Sequence, residues 1–360
     1  MRIVVKVGTS SLTDAVGVIN HDAIARVCAQ LAELRRLGHQ VLLVTSGAVS
    51  AGVAALGMAS RPTDVPTLQA IAAAGQSRLM EVYNRVFAEH GIVAAQVLLM
   101  PHDFVDRRQY LHARGALLRL LELGCVPVIN ENDAIASHEV RFGDNDRIAA
   151  LLSHNVAADL LVLLTDTEGL YTADPRHDRS ATLVSEVPAD DPLLAVNATK
   201  GGTTRGSGGM SSKLSAARMA SWSGVTSVIA AAARDDVLLD IAAGAAVGTT
   251  FRPRKRRLGA RKLWIGFAAH IDGALVVDEG ASRALHRGTS LLPAGVTEVV
   301  GSFHNGDVVE VRDPAGTAIA RGMALLDAAV LRTVVGKRTA DLPAHVAHEV
   351  IHRDDLIVLT

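Results

Sequence analysis

Cysteine, aromatic residues and unbalanced charge are all scarce in this chain, and each scarcity closes off a class of protein. Only two cysteines occur in 360 residues, Cys28 and Cys125, with no CxxC pair and no metal-ligand spacing. A disulfide scaffold and a cysteine-ligated zinc site are thereby excluded, a reducing cytoplasmic compartment is expected, and both thiols are expected as small buried core residues. Lys plus Arg number 36 against 37 Asp plus Glu, so no global field gathers nucleic acid or an anionic membrane, and any polyanion site must be local. No apolar run approaches the length of a bilayer span, and the opening Ile3-Val4-Val5 is broken by Lys6, so no membrane partner is expected. No GxSxG elbow occurs, which leaves serine-hydrolase chemistry without its signature.

What is abundant is small and branched aliphatic: 49% of residues are apolar while only 3% are Phe, Trp or Tyr. That balance suits helices packed closely on a sheet of Val, Ile and Leu, which is the α/β class. The length calls for two domains. Ile3 to Val7 reads as a buried strand, and Asn20 to Gly38 as a helix with Ile24, Val27, Cys28, Leu31 and Leu34 on one face. Asn20 or Asp22 caps this helix, Gly38 ends it, and Val41 to Thr45 follows as a second strand, closing a βαβ unit. Strands are expected again at Ile92 to Leu99, Val126 to Ile129, Leu160 to Leu164 and Thr226 to Ala230. Helices are expected around Thr67 to Glu89, Gln109 to Leu123, Arg147 to Val156 and Ser211 to Ser221.

The pattern then changes. Phe251 to Lys262 carries Arg252, Arg254, Lys255, Arg256, Arg257, Arg261 and Lys262 around Pro253, and reads as a linker. Beyond it, short strand-like runs at Ala274 to Val277, Thr297 to Val300, Asp307 to Arg312 and Thr317 to Arg321 are separated by Asp272-Gly273, Asn305-Gly306 and Ala315-Gly316. These pairs read as turns, and the tail as a small β-rich domain. The expected boundaries are residues 1–250, a basic linker at 251–270, and 271–360.

In an open parallel sheet, ligands collect outside the carboxyl ends of the strands, so the residues that follow each strand carry the functional signal. The first strand runs into Lys6-Val7-Gly8-Thr9-Ser10-Ser11, the second into Thr45-Ser46-Gly47-Ala48, another into Asn130-Glu131-Asn132-Asp133, and the fifth ends in Thr165-Asp166. Any one of these alone is an ordinary cap or turn. Four on one sheet edge exceed what caps and turns require. Gly206-Ser207-Gly208-Gly209-Met210-Ser211-Ser212-Lys213 combines glycines, hydroxyls and a lysine at the start of a helix, where unpaired N–H groups and the helix dipole favour phosphate. It does not match GxxxxGK[ST], so it is no Walker A loop. Gly143-Asp144-Asn145-Asp146 holds three consecutive Asx residues before a helix. An Asp there serves equally to bind Mg²⁺, to orient a lysine or to accept from an ammonium group, and the sequence leaves these roles open.

Read in order, VKVGTSSL from Val5, TSGAVSAG from Thr45, INENDA from Ile129, FGDND from Phe142, LLTDTEGLYTADP from Leu163 and GSGGMSSK from Gly206 resemble the amino acid kinase family. The tail, with GxxxxLxxGxSLLPAGV from Gly280 and GDVVEV from Gly306, resembles a PUA domain. The resemblance implies a three-layer sandwich around a mainly parallel sheet with a small PUA-like second domain. It implies ATP with Mg²⁺ as phosphoryl donor and L-glutamate as acceptor. Aspartate, N-acetylglutamate, carbamate and uridylate kinases share the fold, and the Asp133 and Asn145 pair tips the acceptor toward a free amino acid.

By position, the resemblance makes Lys6 the phosphate-bridging lysine, Lys213 the lysine that meets charge on the transferred group, and Asp146 the acid that organises both. It assigns Ser46, Asp133 and Asn145 to glutamate, and Lys6, Gly8, Thr165, Asp166, Ser207, Gly208, Gly209, Met210, Ser211, Ser212 and Lys213 to the nucleotide. Ser207 and Ser212 stand where the family often has Thr, which keeps the hydroxyl. The resemblance further implies a homo-oligomer, dimer or tetramer, and feedback inhibition by proline in the glutamate pocket or at Pro101 to Arg108. The competing reading is RNA binding by the PUA-like tail and its basic tract. The balanced charge and the lack of a basic, aromatic platform argue against a nucleic-acid partner.

Overall fold

Branched aliphatics from Ile3 to Val5 form the centre of strand β1 (Arg2–Val7) in the computed structural model, which describes residues 1–14, 17–104, 106–135, 145–195, 209–255, 257–343 and 347–359. The chain divides into two compact units, Met1–Leu194 with Lys200–Arg257, and a second built on Leu258–Thr360.

In the first unit, β1 is followed by the short helix α1 (Thr9–Leu12), then by α2 (His21–Arg36) and β2 (Gln40–Val44). Asn20 caps α2 by accepting from the Ala23 N–H, and Gly38, at φ +86°, turns the chain out of the helix. The stripe Ile24, Val27, Cys28, Leu31 and Leu34 is buried as its spacing predicts. Each such side chain contributes roughly 1.5–3 kcal/mol on burial, which far outweighs the α2 propensities. Cys125 departs from expectation: Cys28 is fully buried, whereas Cys125 is only partly so, because it lies in the turn ahead of the next strand rather than on a helix face.

Then come α3 (Ala48–Ala55), α4 (Val65–Glu89), β3 (Ala94–Leu99), α5 (Arg107–Glu122), β4 (Val126–Glu131), α6 (Asn145–Asn155) and β5 (Leu160–Thr165). After them follow β6 (Glu186–Val187), α7 (Met210–Ser223), β7 (Thr226–Ala231), α8 (Val237–Ala242) and β8 (Thr249–Phe251). Among the described residues the sheet has the order β3-β4-β2-β1-β5-β7-β8-β6. All pairings are parallel except β7 with β8. β1 sits between β2, its successor, and β5, which arrives later from the other side. The chain therefore reverses its direction of progress at β1, and a crevice opens at that strand's carboxyl end. Helix α3 was not foreseen from the sequence. It crosses α4 backbone to backbone: a Cβ on Gly75 would stand 1.8 Å from the Ala48 carbonyl oxygen, and one on Gly52 would stand 1.9 Å from that of Ile71.

Four cations of the basic tract have partners within their own units. Arg252 pairs with Glu186 at 2.5 Å, Arg254 lies 4.0 Å over the Trp222 ring, Arg261 pairs with Asp355 at 2.5 Å, and Lys262 donates to the Arg353 carbonyl.

The second unit contains α9 (Ala260–Leu263), β9 (Gly273–Val277), α10 (Glu279–His286), β10 (Val296–Gly301), β11 (Val308–Arg312), β12 (Ala318–Met323), α11 (Ala328–Val334) and β13 (Leu356–Val358). Its sheet runs β10-β9-β11-β12-β13, with β11 parallel to β9 and the other pairs antiparallel. Leu275, Val277, Leu285, Val309, Val311 and Leu331 lie in its core. Gly306 and Gly316 turn the chain at positive φ. Asp272-Gly273 does not: Gly273 opens β9, and glycine is needed there because a Cβ would meet the Phe303 ring at 2.6 Å. No helix among the described residues is long and apolar enough to cross a membrane.

Candidate active site

Three elements converge on one carboxylate. Lys6 comes from the penultimate position of β1, Asp146 from the first turn of α6, and Lys213 from the first turn of α7. Lys6 Nζ lies 2.6 Å from Asp146 Oδ1, Lys213 Nζ lies 3.3 Å from Oδ2, and Ser212 Oγ donates to Oδ2 at 2.6 Å. The three charged side chains are almost fully buried. Burial pushes the Asp146 carboxyl up, but Lys6, Lys213 and the bond from Ser212 together outweigh it, and it is held below the usual carboxylate range. The acid therefore stays ionised and fixes both ammonium groups.

The remaining expected nucleotide residues surround this cluster unevenly. Gly8 follows β1 and lies against the end of β5: a Cβ there would be 3.8 Å from Lys6 Nζ and 3.9 Å from the Leu164 carbonyl oxygen, both ordinary contacts. Thr165 ends β5 and donates to Asp166 Oδ1 at 3.0 Å. Gly209 caps α7, and Met210 and Ser211 form its first turn ahead of Ser212 and Lys213. Ser207 and Gly208 lie outside the described residues.

The expected acceptor residues divide into two groups. Ser46 and Asn145 meet directly: Asn145 Nδ2 donates to Ser46 Oγ at 3.1 Å and to Asn130 Oδ1 at 2.9 Å. The Glu131 backbone N–H faces Asn130 Oδ1 at 2.9 Å and Asn145 Oδ1 at 3.1 Å. Asp133 stands apart in a short turn after β4, on the wall of a cavity of about 170 Å³ that Ala48, Ala72, Gln76, Gln96 and Glu131 also line. It is 7% exposed, and its Oδ1 has no partner among the described residues. Burial raises its carboxyl to about 6, against a smaller opposing pull from Arg61. A buried acceptor atom without a donor, facing a cavity, is suited to an ammonium group.

Sequence reasoning missed Gln76. Its Oε1 accepts from Asn130 Nδ2 at 2.8 Å and its Nε2 donates to Gln96 at 3.3 Å. The available signal was a polar residue on the buried face of α4, among Ile71, Ala72, Gly75, Leu79, Met80 and Tyr83. No group of three or more His, Cys, Asp or Glu able to hold a metal occurs among the described residues.

The amino acid kinase family profile matches residues 1–231, and the PUA domain profile matches residues 273–346. The chain is similar to the glutamate 5-kinase of Caldanaerobacter subterraneus subsp. tengcongensis, 44% identical over 364 residues, covering 100% of this chain and 98% of that protein. It is similar also to the glutamate 5-kinase of Frankia casuarinae, 48% identical over 364 residues, with 99% and 96% covered. The crystal structure of T. acidophilum isopentenyl phosphate kinase in a product complex shares the fold, with TM-score 0.51 and 18% identity over 70% of this chain and 100% of that one. The chain belongs to the amino acid kinase family and carries a PUA domain behind its kinase domain.

Proposed function

We propose that this protein is a glutamate 5-kinase, transferring the γ-phosphoryl group of MgATP to the side-chain carboxylate of L-glutamate, the first step of proline biosynthesis. The observation that carries the reading is the pair of buried lysines fixed on opposite oxygens of Asp146. The full-length similarity to glutamate 5-kinases supports the choice of acceptor.

An acceptor carboxylate is already ionised near neutral pH, so no general base is required. One of its oxygens forms the new bond to the γ-phosphorus as the bond from that phosphorus to the β,γ-bridging oxygen breaks, and ADP leaves with the electron pair. Catalysis is then alignment and charge neutralisation. Lys6 and Lys213 meet the phosphate oxygens, and Asp146 holds both lysines in place. Gly8, Thr165 and Asp166 flank the nucleotide with residues 207–213. Asp133 takes the α-ammonium of the acceptor, while Ser46 and Asn145 hold its polar groups. Asp146 is engaged by two cations and a hydroxyl, so Mg²⁺ would be held chiefly by the nucleotide's own phosphates and would supply charge neutralisation there. The same reading extends to a cytoplasmic homo-oligomer inhibited by proline. The internal partners of Arg252, Arg254, Arg261 and Lys262 favour a structural role for the basic tract over RNA binding.

The test is hydroxylamine trapping of acyl phosphate with MgATP and L-glutamate, L-aspartate, N-acetylglutamate or UMP, with and without proline. Hydroxamate from L-glutamate alone supports the reading, and ADP release with a different acceptor instead overturns the substrate assignment.

A further inference from the structure

Between the cavity and the lysine cluster runs a chain of side-chain amides: Gln96, Gln76, Asn130, Asn145, then Ser46. Its polarity is forced. The Glu131 backbone N–H can only donate, and it faces one end of both asparagines, so those ends are oxygens and the other ends are amino groups. Asn130 must then give its amino group to Gln76, which receives it through Oε1. Asn145 must give its amino group to Asn130 and to Ser46 Oγ. Ser46 is thereby an acceptor within the protein, and its own proton is left to donate outward.

We propose that Gln76 is a positioning residue for the acceptor site, holding Asn130 and Asn145 so that Ser46 presents its O–H to an anionic group of the acceptor. The inference rests on the function proposed above and deepens it. Ser46 favours a carboxylate, because the Asn145 amino group takes one of its two lone pairs and its proton is the group left to give. Asp133, with its unpartnered oxygen on the cavity wall, selects the ammonium. Opposite polarities at two places orient a zwitterion. Asn145 is also the residue before Asp146 on α6, so the amide chain and the lysine cluster share one helical turn.

The test is a double-mutant cycle. Gln76→Met keeps the volume and removes the acceptor for Asn130. It is expected to raise KM for glutamate roughly five- to tenfold, the loss of about one buried hydrogen bond, while KM for ATP holds and the thermal midpoint falls by only a few degrees. In a Ser46→Ala background the same change is expected to cost less than about twofold, since it acts through that hydroxyl. Additive effects, or a rise in both KM values with a larger fall in thermal midpoint, overturn the proposal. Gln76→Glu keeps an acceptor toward Asn130 and is expected to be milder than Gln76→Met. A larger rise in KM would mean that Gln76 touches the acceptor directly, and would likewise overturn it. Hydrogen exchange of the Asn145 side-chain amide reads the same link without turnover: faster exchange in Gln76→Met supports it and unchanged exchange overturns it. Inactivity of the wild type toward glutamate, seen alongside faster Asn145 exchange, would count against the proposed function alone.

Discussion

Lys6 Nζ lies 2.6 Å from Asp146 Oδ1, joining the end of a central strand to the first turn of a helix 140 residues later, with both side chains withdrawn from water. Lys213 reaches the other oxygen from a second helix. Charges this deeply buried are costly unless paired, so the cluster is both a structural tie and the proposed phosphoryl-transfer apparatus.

Lys6→Ala and Lys213→Ala each remove one preorganised cation. Turnover in the hydroxamate assay is expected to fall by roughly 10² to 10³ in each, and a variant with wild-type turnover would refute the assignment.

Asp146→Ala leaves two buried ammonium groups without their shared carboxylate. A destabilisation of about 3–5 kcal/mol is expected, together with loss of turnover, and urea melts measure it. Because the folded carboxyl is held below its ordinary value, the stability it contributes is present above the unfolded pKa and is lost as pH falls through the folded one. The wild type and Asp146→Ala should therefore converge in strongly acid solution.

The Asp133 carboxyl titrates at about 6, raised by burial. In the proposed site the ionised form takes the α-ammonium, so KM for glutamate is expected to rise about tenfold for each pH unit below that value while KM for ATP holds. In the free protein the sign is reversed: the ionised, unpartnered group is unfavourable, and stability is greatest below the unfolded pKa and falls as pH rises through 6. Asp133→Asn should raise the thermal midpoint at pH 8, with the gain vanishing in acid, while abolishing glutamate binding. A lowered midpoint at pH 8 would contradict this account.

Gly8→Ala tests whether glycine is required by the fold or by a ligand. Its Cβ would make only ordinary contacts, so the thermal midpoint is expected to hold while KM for ATP rises several-fold. Unchanged ATP kinetics would remove Gly8 from the nucleotide site.

Gly75→Ala and Gly115→Ala form a contrasting pair. The first places a methyl 1.8 Å from the Ala48 carbonyl oxygen and is expected to cost several kcal/mol by forcing α3 from α4. The second lies on the exposed side of α5 with nothing within 4 Å, and is expected to stabilise by about 0.5–1 kcal/mol. Thermal melts of both separate helix propensity from helix contact.

Local patterning made β1 to β5, β7 and the face of α2 readable, because a buried stripe must recur at the period of its own element, but it missed the short strands β6 and β8. It failed at α3, whose Ala-, Val- and Gly-rich sequence carries no clear amphipathic contrast, and at Gly273, where a distant Phe303 decides the residue. The polar strand ends marked Lys6, Ser46, Asp133 and Thr165 as a common edge. Gln76 stayed hidden because a single amide on a buried helix face looks the same whether it fills space or holds a neighbour.

By itself the sequence determined the α/β class, the parallel alternation, the small β-rich tail and the kinds of side chain gathered at the strand ends, since these follow from composition, periodicity and residue order. Only the tertiary structure decided which of those side chains meet. Asp146 holds Lys6 and Lys213, Asn145 meets Ser46, and Asp133 faces a cavity apart from them, because the order of strands in the sheet and the helix N-termini bring together residues that the chain keeps far apart. Distances between side chains are set by that packing, and no local pattern encodes them.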